Sequence, residues 1–317
     1  MKLSEIYKRA IEKGKKEDPR GVEIVEEELK KVKKDFEKLS KEDKEDFDKD
    51  RFFNPYADTR ILYGDPEKEI KSVIVGVDME TPEILAAQML RMKGEKIDLV
   101  IAHHPEGKAF ASLHEVMHIQ TDLLHKYGVP INVAEDLMNE RIKEVGQGVM
   151  GANHQRPVDI AKLFDIPLMC IHTPADNCVT SFLQRIFDAK KPKYVGDVVK
   201  ILKDVPEYKN WIKMNNGPQI VVGSEDKRAG KVYVDMTGGT EGSVKVFDKL
   251  SNTDIGTLVC MHLSQGHITE LGKNHISGVI AGHISSDTLG LNVLFDEIFK
   301  KEKMNITPIS GYRRIAR

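Results

Sequence analysis

The sequence predicts an α/β fold in which two similar α/β lobes meet at a central cleft, with an extra charged helix at the N-terminus. Runs rich in Val and Ile, typical of buried strands, alternate with stretches of helical periodicity. Histidine and aspartate follow these runs at three points. With 317 residues, the chain is long enough to bury a core of one large domain or two ordinary ones.

Residues 1–55 are predicted to form the charged helical extension. From Val22 to Leu39 apolar residues recur every three or four positions, which indicates a helix with a narrow apolar stripe. That stripe has two possible partners, its own domain or a neighbouring subunit. The remainder, 56–317, is expected to form the α/β domain, with lobes at 56–180 and 215–317 joined by a helical connection at 181–214.

The first lobe begins with a predicted strand at 70–78. Thr81 and Pro82 favour a helix start, so a helix is expected over 82–93, followed by a strand at 97–102. A strand-helix-strand unit of this kind is parallel and right-handed.

The segment 105–165 is expected to hold an inserted lid or a helical pair. It contains a predicted helix at 113–127, a strand at 128–134, and helices at 135–145 and 158–164. His154 and Arg156 are its candidates for contact with a substrate.

In the second lobe, strands at 218–223 and 230–235 are predicted to pair. The glycines at 238, 239 and 242 then open the next helix, where backbone N–H groups could approach a phosphate. A plain tight turn explains these glycines equally well, because the P-loop lysine is absent.

Three histidine-carboxylate groups follow predicted strands. They are His103-His104, His172 with Asp176, and His283 with Asp287. Imidazole and carboxylate together suit Zn, Fe, Mn or Ni, and strand ends of an α/β sheet gather remote side chains. Each pair alone could be ordinary hydrogen-bonded residues, but their joint occurrence after apolar runs favours a metal site.

These groups offer five good donor residues, with His172 as a possible sixth, and this number favours two metal ions. A catalytic zinc ion needs only three protein ligands, and a carboxylate can bridge two ions about 3.5 Å apart. The neighbouring Cys170 and Cys178 are interpreted as buried apolar residues rather than thiolate ligands.

The net charge of -2 gives no electrostatic reason to bind nucleic acid or anionic lipid. Three scattered cysteines indicate no disulfide framework, and no run approaches the ~20 apolar residues needed to cross a bilayer. The charged start lacks an apolar signal core, so a cytoplasmic location is expected.

The motifs starting at Gly76, Asp98, His172 and Gly282, with the glycine-rich stretch 234–242, resemble those of the Nif-three-like family of dinuclear-metal proteins. Members of this family are often labelled type 2 GTP cyclohydrolase I. The resemblance covers 60–317. Two departures stand out: Asp287 replaces the usual glutamate, and His262 stands where a small residue is expected.

The resemblance implies five metal ligands and a toroidal homohexamer. The implied ligands are His103, His104, Asp176, His283 and Asp287. The family label suggests GTP as substrate, and the hypothesis is hydrolysis of GTP or a related nucleotide or phosphoester by a metal-bound hydroxide. His172 or His154 is the candidate general acid or base. Whether His172 is itself a ligand is left open.

The sequence leaves open whether the protein is an enzyme. The alternative is a metal-handling chaperone or a regulatory metal-binding scaffold, and association with DNA ranks last because the chain has no basic excess.

Overall fold

The computed structural model describes all 317 residues and contains nine strands and fourteen α-helices. In chain order, the elements of residues 1–190 are α1 (Leu3–Lys16), α2 (Val22–Glu37), α3 (Lys41–Asp46), β1 (Arg60–Tyr63), β2 (Ser72–Gly76), α4 (Thr81–Met92), β3 (Leu99–Ala102), α5 (Gly107–Ala111), α6 (His118–Lys126), α7 (Ile131–Val149), α8 (Arg156–Leu163), β4 (Leu168–Cys170) and α9 (Thr173–Lys190). The remaining elements are α10 (Val195–Lys203), α11 (Pro206–Ile212), β5 (Gln219–Val222), β6 (Lys231–Asp235), α12 (Val246–Leu250), β7 (Ile255–Cys260), α13 (Gln265–Lys273), β8 (Ser277–Ile280), α14 (His283–Ile298) and β9 (Asn305–Pro308).

The strands form two sheets that share the same topology over four strands, and the first sheet has β9 as a fifth strand. The first has the order β1-β4-β3-β2-β9 and the second β5-β8-β7-β6. In each sheet the first strand is antiparallel to its neighbour, while the next three are parallel to one another. The prediction of an α/β fold with two similar lobes is confirmed. The unit β2-α4-β3 is parallel, as its sequence predicted.

Helices cover the faces of the first sheet because its parallel strands are apolar on both sides. Val73 and Val75 belong to a buried cluster that α1, α9 and α14 complete, and Ile74 lies in a second cluster with residues of α4 and α8. The N-terminal region is therefore part of this core, since Leu3 and Ile6 of α1 are fully buried. The predicted boundaries of extension and lobes stay a prediction.

The apolar stripe of α2 lies partly against its own chain. Val25 and Leu29 are buried, and Phe36 packs against the rings of Phe47 and Phe52. One of the two interpretations of this stripe is thereby supported.

The strand predicted at 128–134 is wrong. Gly128, at φ 103°, follows α6, and α7 begins at Ile131 directly after Pro130. A proline at this position fixes φ near the helical value, so it favours a helix start over a strand. The β-branched residues of the run indicated a strand. Ala134 and Met138, however, continue the apolar pattern at helical spacing, and both lie in a buried cluster.

The predicted pairing of 218–223 with 230–235 is also wrong. β5 pairs with β8 and β6 pairs with β7, so the two strands lie on opposite edges of the second sheet. β7 and β8 occupy the positions between them, because parallel crossovers connect β6 to β7 and β7 to β8. No helix of the structure combines the length and apolar character that crossing a membrane requires.

Candidate metal centre

The predicted site residues lie at strand ends of both sheets. His103 and His104 directly follow β3, and His172 lies between β4 and α9. His283 is the first residue of α14, directly after the turn that follows β8. Because β3 and β4 are parallel neighbours, their carboxyl ends bring His103 and His172 to one edge, with ring centroids 5.0 Å apart.

The two lobes meet at these ends. His104 Nε2 lies 3.3 Å from His283 Nε2, and Asp287 reaches both lobes. Its Oδ1 is 3.4 Å from His103 Nε2, and its Oδ2 is 3.6 Å from His104 Nε2 and 3.5 Å from His283 Nε2. The other aspartate, Asp176, has Oδ1 3.4 Å from His103 Nε2.

These contacts define three overlapping groups that could hold a metal ion. The groups are His103 with Asp176 and Asp287, His104 with His283 and Asp287, and His103 with His104 and His172. Ligand atoms around one tetrahedral ion, bound at about 2.0–2.2 Å, lie roughly 3.3–3.6 Å from each other. The observed separations in the first two groups match this spacing.

Four buried polar atoms in the first two groups make no hydrogen bond. They are Nε2 of His103, Oδ1 of Asp176 and both carboxylate oxygens of Asp287. A buried polar atom without a partner is costly, so native proteins pair such atoms or give them a metal ion. The residues present therefore fit a metal ion.

Each of three histidines has its Nδ1 fixed by a partner outside these groups. His103 Nδ1 lies 3.0 Å from the carbonyl oxygen of Ile171, and His104 Nδ1 lies 2.6 Å from Asp78 Oδ1. Donation of Nδ1–H to these acceptors leaves the Nε2 lone pair directed at the ligand groups, as is usual for metal-binding histidine.

Asp58 supports His172 in the same way. Its buried Oδ2 lies 2.8 Å from His172 Nδ1 and accepts from Thr173 Oγ1 at 2.6 Å. Burial would raise the pKa of Asp58, but the His172 and Thr173 hydrogen bonds lower it, so the carboxylate stays charged. Sequence reasoning assigned no role to Asp58 or Asp78. Asp78 could have been found from its place just after β2, whereas Asp58 precedes a strand and carries no such signal.

The histidines and carboxylates perturb one another strongly. Burial lowers the pKa of His103, but the carboxylates of Asp287 and Asp176 raise it well above its usual value. Burial raises the pKa of Asp287, but His103, His283 and His104 lower it to about 2. The site thus concentrates negative charge that a cation at the same position would neutralise.

A cavity of about 540 Å³ adjoins the ligand groups. His104, His172, Asp176 and His283 lie in its wall. The wall includes six carboxylate residues but only one arginine, Arg156, and no lysine. An open cavity beside the donors allows a small molecule to reach them, which a closed structural metal site does not.

His154 lines this cavity but does not belong to the ligand groups. Its Nδ1 lies 3.2 Å from the carbonyl oxygen of Ala152. Cys170 and Cys178 are buried outside the ligand groups, and burial raises the pKa of the Cys170 thiol to about 12. A thiol that stays protonated agrees with the apolar interpretation of Cys170.

The glycine-rich turn is held by a side chain of α6. Gln120 Nε2 donates to the carbonyl oxygens of Gly238 and Thr240. Gly238 and Gly239 both have positive φ, and the following helix α12 has only five residues. The geometry agrees with the tight-turn interpretation of these glycines.

The fold is similar to that of a solved structure. A NIF3 superfamily protein from Sphaerobacter thermophilus is 24% identical, with a TM-score of 0.69 over 80% of this chain and 91% of that chain. The fold is NIF3-like. The structure of reduced HcgD from Methanocaldococcus jannaschii is 18% identical, with a TM-score of 0.47 over 78% of this chain and 87% of that chain. The sequence matches no family model and no curated protein. The resemblance inferred from the motifs is thus confirmed at the level of the NIF3-like fold.

Proposed function

We propose that the protein binds two divalent transition-metal ions and uses them to hydrolyse a small molecule. The observation that carries this proposal is the position of Asp287, whose two oxygens face different groups of donors. One ion would be held by His103, Asp176 and Asp287, and the other by His104, His283 and Asp287. Zn, Fe, Mn and Ni all suit such nitrogen and oxygen donors.

The chain's own residues then hold the ions and orient the groups that transfer protons. Ions bound at these positions would supply Lewis-acid activation of water and of a substrate oxygen. Asp58 holds His172 with Nδ1–H toward its carboxylate, so His172 Nε2 is free to bind an ion or to accept a proton. His154, in the cavity wall, is the second candidate for proton transfer.

Metal content per chain tests the site directly. We expect two ions in the wild type, none in Asp287→Ala, and one each in His283→Ala and Asp176→Ala, because each of these last two variants damages one group. His118→Ala, which changes an exposed histidine of α6, is the matched control and should keep both ions. A wild type that holds a single ion, or retention of two ions in either His283→Ala or Asp176→Ala, would contradict the two-ion assignment.

Turnover separates the enzyme from the alternative. We propose screening the two-ion protein against cyclic amides, nucleotides including GTP, and phosphoesters, with His283→Ala as the negative control. The partly exposed His104 and His283 leave one donor group accessible, which also suits a metal-handling protein. Two bound ions without turnover, together with transfer to a metal-free acceptor, would support that second function.

The assembly is also a proposal. The homohexamer implied by the sequence resemblance would need apolar contact surfaces, and α4 exposes Leu85, Met89 and Met92 on one stripe. Analytical ultracentrifugation of the wild type tests the assembly, and a monomer at micromolar concentration would contradict it.

A further inference from the structure

The repeated topology gives His262 the same place in the second lobe that His104 has in the first. β3 and β7 are each flanked by two parallel neighbours in sheets of the same order. His104 comes two residues after Ala102, the end of β3, and His262 comes two residues after Cys260, the end of β7. The two histidines thus occupy corresponding strand ends on opposite sides of the cleft.

A carboxylate orients each of these histidines through Nδ1. His104 Nδ1 lies 2.6 Å from Asp78, and His262 Nδ1 lies 3.1 Å from Glu241 Oε1. Glu241 is itself fixed, since the Ser264 backbone N–H donates to the same oxygen at 2.7 Å. A histidine whose Nδ1–H is donated to a fixed carboxylate presents Nε2 in a defined direction.

His262 is adjacent to the donors yet outside their groups. Its ring centroid lies 4.9 Å from that of His283, compared with 5.1 Å between His104 and His283. Its side chain is 49% exposed and lines the cavity. The same structural position therefore carries a donor to the ion groups in one lobe and a free imidazole facing the cavity in the other.

We propose that His262 is a substrate-recognition residue, which hydrogen-bonds through Nε2 to a molecule bound at the metal groups and which Glu241 positions. This inference rests on the proposed metal site. It also explains the histidine at position 262, where the family resemblance predicts a small residue. The imidazole occupies part of the cavity and adds a polar contact. The substrate class is a small molecule that offers a polar group beside the atom bound to metal.

The test uses cobalt-loaded protein and acetohydroxamate, a small chelating probe whose binding changes the visible spectrum of Co²⁺. Loss of one hydrogen bond weakens binding about threefold to tenfold, so His262→Ala should bind the probe that much more weakly. His262→Gln, which keeps a polar group at a similar reach, should restore part of the affinity. Glu241→Gln should give an intermediate loss, because it loosens the orientation of His262 without removing the imidazole.

Metal content is measured on every variant and should equal that of the wild type. His118→Ala is the control for loss of a histidine away from the cavity wall. Wild-type affinity in His262→Ala, or no probe binding by a two-ion wild type, overturns the inference while the metal site stands. Loss of an ion in His262→Ala also overturns it, because His262 would then be a ligand. A wild type that binds no metal overturns the proposed function as well.

Discussion

The close contact between α9 and α14 predicts a specific effect of Gly290→Ala. These helices carry Asp176 and Asp287, and a Cβ added at Gly290 would lie 2.4 Å from the carbonyl oxygen of Ala175. Ordinary contact requires about 1 Å more, and the atom in the way belongs to the backbone, so the helices themselves must separate. Ala175 directly precedes Asp176, and Gly290 lies about one turn after Asp287.

We expect Gly290→Ala to cost about 1–3 kcal/mol of unfolding free energy, the usual range for overpacking. It should also weaken metal binding by separating the two carboxylates. Gly272→Ala is the matched control, because nothing lies within 4 Å of a Cβ at this position of α13. Alanine there should stabilise by roughly 0.5–1 kcal/mol, since glycine is unfavourable in a helix.

Urea unfolding in the presence of chelator measures the stability difference, and titration with Co²⁺ measures the metal affinity. If Gly290→Ala matches Gly272→Ala in both measurements, the helices do not cross as closely as the structure shows. A loss of stability without a loss of affinity would show that the carboxylates reach the ions independently of the helix spacing.

Three further predictions concern the charged groups. Asp58→Asn removes the charge that orients His172 as a metal ligand, so Co²⁺ affinity should fall about 10- to 100-fold, while the exposed Asp136→Asn should leave it unchanged. Unchanged affinity in Asp58→Asn would show that His172 is not a ligand. Removal of metal by chelator should lower the melting temperature of the wild type and re-addition should restore it, because the buried donors lose their partner; in Asp287→Ala, chelator should have no effect. Burial raises the pKa of Asp235 to about 6, above its unfolded value of about 3.9, so wild-type stability falls as pH rises through this window. Asp235→Asn should therefore melt higher than wild type at pH 8 but not at pH 4 in chelator-treated protein, and equal differences at both pH values would refute this assignment.

The candidate ligands could be predicted from the sequence, but the residues that orient them could not. His103, His172 and His283 follow strands that their Val and Ile content made recognisable, and strand ends of an α/β sheet lie together. The acceptor Asp58 was missed because its contact with His172 joins positions 114 residues apart, and no local pattern marks such a pair. The roles of all these residues in binding metal stay predictions.

The fold was predictable where periodicity and topology agree. The unit β2-α4-β3 has clear strand and helix signals and one allowed handedness, so it was predicted correctly. The predicted pairing of β5 with β6 was wrong because strand pairing in a parallel sheet depends on crossovers that proximity in sequence does not reveal. At 128–134, three β-branched residues gave a strand signal that Pro130 and the buried face of α7 outweighed.

The position of β9 has a consequence for the order of folding. β9 follows every strand of the second sheet in the chain, yet it pairs with β2 in the first. During synthesis the edge of β2 stays unpaired until the ribosome has released the whole second lobe, and an open strand edge invites pairing with other chains. A fragment limited to 56–180 would keep that edge permanently. The two lobes, although alike in topology, are therefore expected to reach their native state as one cooperative unit rather than in succession.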